Sequence, residues 1–176
     1  MKVIVLFKDG CEEIEALSVV DVLRRMNVPC EMVGMDKDEI VGAHHIVLKM
    51  DHVFSEDDYT ADMVVLPGGM PGASSLRDDQ RVIDLVTDFY RHDKWLAAIC
   101  AAPIVLNKAG VLKDRHYTCY PGFENEIDGL YQNSPTCVDG HMITARGPGA
   151  ALAFAYEILE QMNIDSHQLQ LDMQYQ

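Results

Sequence analysis

The chain has 176 residues with 28 acidic and 14 basic side chains, so its formal charge is 14 − 28 = −14. Apolar content of 48% and charged content of 24% are those of a globular domain and exclude a disordered chain. At this length one domain can bury roughly 70% of the surface its unfolded chain exposes, and an acidic surface with no Lys/Arg cluster argues against charge-driven binding to nucleic acid or anionic membranes.

The apolar runs Val3 to Phe7 and Met63 to Leu66 are too short to span a bilayer, and no signal peptide precedes the first of them, so a cytoplasmic location is expected. The five cysteines, Cys11, Cys30, Cys100, Cys119 and Cys137, form an odd set without a C-x-x-C pair. That pattern fits free thiols in a reducing compartment better than a disulfide framework or a zinc site.

Val3 to Phe7 reads as a central strand buried on both faces. After Asp9-Gly10, the segment Glu12 to Met26 has Ile14, Leu17, Val20 and Leu23 at helical spacing, with Glu12 and Glu13 in the first turn, where carboxylates favour solvent and the helix dipole. Pro29 to Val33 predicts a second strand, and Ile46 to Val53 an edge strand or hairpin beside His44-His45. Met63 to Leu66 repeats the buried-strand signature and enters the loop Pro67-Gly68-Gly69-Met70-Pro71-Gly72. A helix over Asp79 to His92 and a buried strand over Trp95 to Ile99 follow, then Cys100-Ala101-Ala102-Pro103 opening a helix that ends near Ala109 and Gly110.

Thr136 to Val138 and Met142 to Thr144 predict a hairpin with Asp139-Gly140 in a type I′ turn. Arg146-Gly147-Pro148-Gly149 then leads into a helix from about Ala150 to Met162, and the Gln-rich tail after Ile164 carries no clear signal. Strands separated by helices, with no repeat or linker, predict one α/β domain, a sandwich around a mainly parallel sheet.

In such a sheet, ligands bind beyond the carboxyl ends of the strands. Glu15, the Gly68-Gly69 loop and Cys100 each follow one of these strands, so a carboxyl, flexible backbone amides and a thiol converge on one rim. A thiol at a strand-to-helix elbow feels the helix N-terminus, which favours thiolate, and the amides of Gly69 and Ala101 can hold a developing oxyanion. The alternatives are that Cys100 is a small buried hydrophobe and that Glu15 is a solvated first-turn carboxylate. Arg146 can orient a substrate carbonyl or carboxylate, or cap its own loop by hydrogen bonds. Adjacent His44 and His45 would point to opposite faces of a strand, and His92, His116 and His141 lack ligand-spaced partners, so no metal is expected. No nucleotide-binding fingerprint is present.

Asp9 to Ala16 (DGCEEIEA), Val64 to Gly72 (VVLPGGMPG), Ala97 to Pro103 (AAICAAP), Thr118 to Glu124 (TCYPGFE) and Thr144 to Gly149 (TARGPG) together resemble the ThiJ/PfpI superfamily, the DJ-one-like proteins. The resemblance runs from Lys2 to about Met162. It implies a flavodoxin-like three-layer sandwich of the class I glutamine amidotransferase-like kind with a nucleophile elbow. It further implies Cys100 as nucleophile or redox-sensitive thiol, Glu15 as its hydrogen-bonded carboxyl, Gly69 and Ala101 as oxyanion donors, no cofactor, and a homodimer with Asp21, Arg24 and Arg25 at intersubunit positions. Without the resemblance those three are helix-surface ion pairs.

Two residues depart from the superfamily's patterns. Ala101 stands where the PfpI protease branch has His, which counts against peptidase chemistry. Tyr120 precedes Pro121 where glyoxalase-like members often carry a His, and a Tyr is a poor base at neutral pH. The resulting expectation is a cofactor-independent enzyme of the glyoxalase III or deglycase type acting on small reactive carbonyls, with Tyr120 and Arg146 as substrate-pocket candidates. A redox-responsive stress protein sensing oxidation through Cys100 is the alternative, and a thiamin-pathway, amidase or protease-like role ranks last.

Overall fold

The fold is described from a computed structural model covering residues 1–175. The first strand, β1 (Val3–Phe7), is buried along its whole length, as its unbroken apolar sequence requires. Helix α1 (Glu13–Arg25) follows, then β2 (Cys30–Gly34), a short hairpin of β3 (Glu39–Val41) and β4 (Val47–Lys49), and β5 (His52–Val53). Next come β6 (Met63–Leu66), α2 (Gly72–Arg77), α3 (Gln80–Arg91), β7 (Trp95–Ile99) and α4 (Pro103–Lys108). The two-residue strands β8 (His116–Tyr117) and β9 (Leu130–Tyr131) pair with each other. The chain ends with β10 (Thr136–Asp139), β11 (Met142–Ala145), α5 (Ala151–Gln161) and α6 (His167–Asp172).

Seven strands form the main sheet in the order β10-β11-β7-β6-β1-β2-β5. Every neighbour pair is parallel except β10 with β11. Helices α1 and α5 pack together against the sheet, and α2, α3 and α4 form a second packed group against β6 and β7. This is the expected flavodoxin-like α/β sandwich. Because β2 and β6 flank β1 on opposite sides, the chain reverses its winding direction there, and the carboxyl ends of β1, β6 and β7 open onto one crevice.

Several local expectations are corrected. Ile14, expected inward, is 58% exposed, because α1 buries the stripe of Glu15, Ala16, Val19, Val22 and Leu23 and turns Ile14, Asp21 and Arg24 outward. Glu12 and Glu13, expected in solvent, are buried. Ile46 to Val53 is divided between β4 in the hairpin and β5 at the edge of the main sheet, and His44-His45 lies in the hairpin turn instead of on a strand. In the β10-β11 hairpin Asp139 pairs with Met142, so the turn residues are Gly140 and His141, not Asp139-Gly140. Gly140 alone of these two has positive φ (60°), as a type II′ turn demands. Helix α6 has a physical anchor that a Gln-rich composition hides: the Tyr175 ring packs at a tilt against Tyr156, and the Tyr156 hydroxyl donates to Met173 Sδ.

The α1 correction is measurable. Leu23→Ala removes a fully buried side chain and should cost about 2–5 kcal/mol, whereas Ile14→Ala should stay within about 0.5 kcal/mol of wild type in urea unfolding. Equal losses would contradict the orientation of the helix.

Candidate active site

Strand β7 ends at Ile99, and Cys100 follows with φ of +65°, the left-handed region that costs a residue with a Cβ about 1–2 kcal/mol. Asn27, Asp93 and Asn163 share that sign of φ just after helices, where chains commonly adopt it. Cys100 instead lies between a strand and a helix and is held by its neighbours. Its N–H donates to the Ala145 carbonyl (2.8 Å), its carbonyl accepts from the Tyr120 N–H (2.9 Å), and Pro103 opens α4 with φ already set for a helix. The elbow turns the thiol into the crevice, where the nearby backbone amides of Ala101 and Gly69 favour a negative charge on its sulfur.

Glu15 comes to the same point from α1. Its side chain is fully buried, and Oε2 accepts the Gly68 N–H at 2.9 Å. Among the described residues its Oε1 is the one buried side-chain polar atom without a hydrogen-bond partner. The loop after β6 is tied to the start of α1 a second time by the Glu12 N–H donating to the Gly68 carbonyl (2.9 Å). Glu12 Oε2 in turn caps the helix by accepting the Glu15 N–H at 2.8 Å. Gly68 has to be glycine for lack of space: a Cβ there would lie 2.6 Å from Glu15 Oε2 and 2.7 Å from Cys100 Cβ. Thiol, carboxyl and amides thus form one constellation, as the sequence predicts.

The electrostatics differ from the sequence expectation. Burial raises the Glu15 pKa to about 7, against the pull of the Cys100 thiol beside it and of the Gly68 N–H. Burial also pushes the Cys100 thiol up, the Glu15 charge adds to this, and the amides of Ala101 and Gly69 act in the opposite direction. The helix behind Cys100 has only six residues, and its N-terminal field does not outweigh a carboxylate in contact. Two anions cannot share this site, so thiol and carboxyl together carry at most one negative charge at neutral pH. Cys100 therefore rests as the thiol, with the Glu15 carboxylate as the neighbouring group able to take its proton. Cys11, Cys30 and Cys119 are pushed up to about 12 chiefly by burial, and among the described residues none of the three has a side-chain hydrogen bond to a carboxylate.

Tyr120 and Arg146 lie together in an adjoining groove of about 210 Å³, with Tyr131, Asn133 and Pro148 on its walls. The Tyr120 ring covers Gly147, where a Cβ would come within 3.2 Å of the ring. Tyr131 and Asn133 had no motif to mark them, since only the pairing of β8 with β9 brings their segment to the rim. Arg24 donates to Asp51 and the Cys30 carbonyl, and Arg25 to Asp21, all within the chain. Glu12, Glu13 and His44 gather ligand-type atoms within 4.8 Å of one another, a grouping the sequence does not reveal. Glu13 and His44 are committed to each other there, with His44 Nδ1 and its backbone N–H each 2.8 Å from the Glu13 carboxylate.

The DJ-1/PfpI family model matches residues 1–161. The chain belongs to the DJ-1/PfpI family. It is similar to Protein dj-1beta of Drosophila melanogaster, 34% identical over an alignment of 166 residues that covers 90% of this chain and 88% of that one. A Schizosaccharomyces pombe relative named glutathione-independent glyoxalase DJ-1 is 29% identical, with 92% of this chain and 91% of that one aligned. The crystal structure of a cysteine-to-alanine mutant of a DJ-1 superfamily protein from Salmonella typhimurium superposes with a TM-score of 0.94 at 30% identity, over 99% of this chain and 98% of that one. Family membership thus rests on the whole domain, Cys100 elbow included.

The buried carboxyl has a thermodynamic signature. Glu15 titrates near 4.5 when unfolded and about 7 when folded, so the folded state holds the extra proton between these values and its stability falls as pH rises through them. The penalty is on the order of 3 kcal/mol above pH 7. Glu15→Gln keeps an acceptor for Gly68 and removes the charge. Its thermal midpoint should therefore exceed that of wild type at pH 8 and converge with it below pH 4.5. A constant offset at every pH would show that Glu15 titrates normally.

Proposed function

We propose that this DJ-1/PfpI protein is a cofactor-independent enzyme that converts small 2-oxoaldehydes such as methylglyoxal to 2-hydroxy acids, with deglycase activity on the corresponding adducts as a related use of the site. The observation that carries the reading is the buried Glu15 carboxyl, titrating near neutrality beside a thiol on a strained elbow. A group with that pKa both accepts and returns protons at physiological pH.

In the proposed reaction the Cys100 sulfur bonds to the aldehyde carbon as its proton passes through Glu15 to the carbonyl oxygen. The resulting hemithioacetal oxygen lies on the amides of Gly69 and Ala101, which stabilise it while it is charged. Glu15 then removes the proton from this carbon and delivers one to the neighbouring carbon, while the first oxygen returns its proton and becomes a thioester carbonyl. Water hydrolyses the thioester, releasing the 2-hydroxy acid and the free thiol. The overall change is addition of one water, with the aldehyde oxidised and the adjacent ketone reduced within one molecule, so no external oxidant is needed. The similarity to a named glyoxalase supports the reading.

A second copy of the chain and a cytoplasmic setting belong to the same proposal. The outward face of α1, where Asp21, Arg24 and Arg25 are exposed, is the surface on which the copy would dock.

Lactate formed from methylglyoxal without glutathione tests the chemistry. Cys100→Ser should reduce it to background, and Glu15→Gln should lower kcat about 10²- to 10⁴-fold. In wild type, kcat/KM should rise with pH through about 7 and then level off, because Glu15 must enter the cycle as carboxylate. Full activity in Cys100→Ser would eliminate the nucleophilic mechanism.

The unpartnered Glu15 Oε1 favours a second reading, in which Cys100 oxidises to a sulfinate that accepts a hydrogen bond from the protonated Glu15 carboxyl through that oxygen. Mild peroxide followed by mass spectrometry should then place a two-oxygen gain on Cys100 in wild type, and Glu15→Gln should reduce it. Oxidation spread evenly over Cys11, Cys30, Cys119 and Cys137 would remove this reading.

A further inference from the structure

The sequence leaves two roles open for Arg146, a structural cap on its own loop or a group that meets substrate. Among the described residues, the loop makes its bonds without the guanidinium. The Arg146 backbone N–H donates to the Pro135 carbonyl (3.0 Å), and the Ala150 N–H to the Gly147 carbonyl (2.8 Å). The side chain is exposed and lines the groove. Five of the seven arginines, Arg24, Arg25, Arg77, Arg81 and Arg115, have carboxylate partners. In a chain with twice as many acids as bases, a guanidinium facing a groove without a carboxylate among the described residues is available to an anion from outside.

The groove is fixed relative to the thiol. One wall begins at Tyr120, whose N–H bonds the Cys100 carbonyl, and the other begins at Arg146, next to the Ala145 carbonyl that accepts the Cys100 N–H. Its other surfaces are largely apolar, from Tyr120, Tyr131 and Pro148, with the Asn133 amide as a further polar group. A volume of about 210 Å³ corresponds to roughly seven waters at liquid density, enough for a short carbon chain with a terminal group. At the other end of the sheet a larger depression of about 480 Å³ also contains arginine and lysine, but Arg115 there is paired with Asp139, Lys94 donates to the Tyr59 carbonyl, and Arg91, which like Arg146 has no carboxylate partner among the described residues, shares that lining with Asp93 and Asp139, whose charges disfavour an anion.

We propose that Arg146 is a specificity-determining residue that binds the carboxylate of an anionic 2-oxoaldehyde, the carbon chain lying along Tyr120 and Tyr131 with the aldehyde at Cys100. The substrate class is thereby narrowed from neutral dicarbonyls to dicarbonyls bearing a terminal carboxylate. This rests on the carbonyl-enzyme reading above.

The test compares 4,5-dioxopentanoate with its methyl ester, which has the same reactive end and no charge. Wild type should favour the acid in kcat/KM by roughly ten- to hundredfold, mainly through KM. Arg146→Gln should collapse that ratio towards one, Arg146→Lys should recover part of it, and Arg91→Gln, which removes the same charge from the opposite end of the sheet, should retain it. Equal use of acid and ester by wild type, or a parallel loss of both in Arg146→Gln, would overturn the assignment and leave the carbonyl reading standing.

A binding measurement separates the two ideas. Calorimetry with 4-oxopentanoate, which has the carboxylate and no aldehyde, is run on Cys100→Ser and on the Cys100→Ser, Arg146→Gln double variant. Binding of the acid over its methyl ester, lost in the double variant, supports the anion site even where wild type turns over neither dicarbonyl and the carbonyl reading fails. Equal binding of acid and ester, no binding of either, or undiminished binding in the double variant refutes the site.

Discussion

The chemistry depends on a carboxyl buried where nothing fully neutralises it. Glu15 is completely enclosed, one oxygen accepts a backbone N–H, and the other has no hydrogen-bond partner among the described residues. Burial of an ionised group is expensive, and a protein reduces the expense by pairing the charge or by holding the proton. Here the pKa rises to about 7, so the group sits at the crossover between both states. That position is unfavourable for stability and well suited to proton transfer, and its partner is a thiol whose own pKa is raised by burial and by the same carboxylate.

Much of the rest of the site can be understood as holding this pair together. Gly68 lets the β6 loop pass between carboxyl and thiol, and bonds α1 in both directions through Glu12 and Glu15. The α1 helix is rotated so that Glu15 takes a core position, which leaves Ile14 exposed. Hydrogen bonds to β11 and to the segment around Tyr120 fix Cys100 in its left-handed conformation. Strain at one residue is tolerable because the central strands β1, β6 and β7 supply a deeply buried core on both sides of it.

The parts legible in the sequence were those set by periodicity and punctuation. Unbroken apolar runs mark β1, β6 and β7, and the rule that ligands sit beyond parallel strand ends is enough to bring Glu15, Gly69 and Cys100 together. Less legible was whatever depends on which face of an element meets a partner. Ile14 has the spacing of a core residue, and only the destination of Glu15 shows that the stripe is turned. Glu12 and Glu13 look like ordinary first-turn carboxylates, yet one caps α1 and the other is committed to His44 in a turn far along the chain. The thiol's electrostatics were misjudged for a related reason: a helix N-terminus can be read from local sequence, whereas the cost of burial and of a neighbouring charge comes from tertiary packing.

The proton inventory also bears on which chemistry suits this crevice. Peptide or amide cleavage by a cysteine needs a base for the thiol and then an acid positioned at the leaving nitrogen, a pair of tasks that an imidazole usually performs. Ala101 follows the nucleophile, Tyr120 occupies the neighbouring loop, and none of the residues lining the adjoining groove is a histidine. A single carboxyl near neutrality is better matched to a reaction whose proton leaves one carbon and arrives at the next, within reach of the same two oxygens. Isomerisation of a thiol-bound dicarbonyl is such a reaction. It has no amine to expel until water opens the thioester, and a thiol is a good leaving group without a dedicated acid. The absence of an imidazole, which weakens the peptidase reading, leaves this one intact.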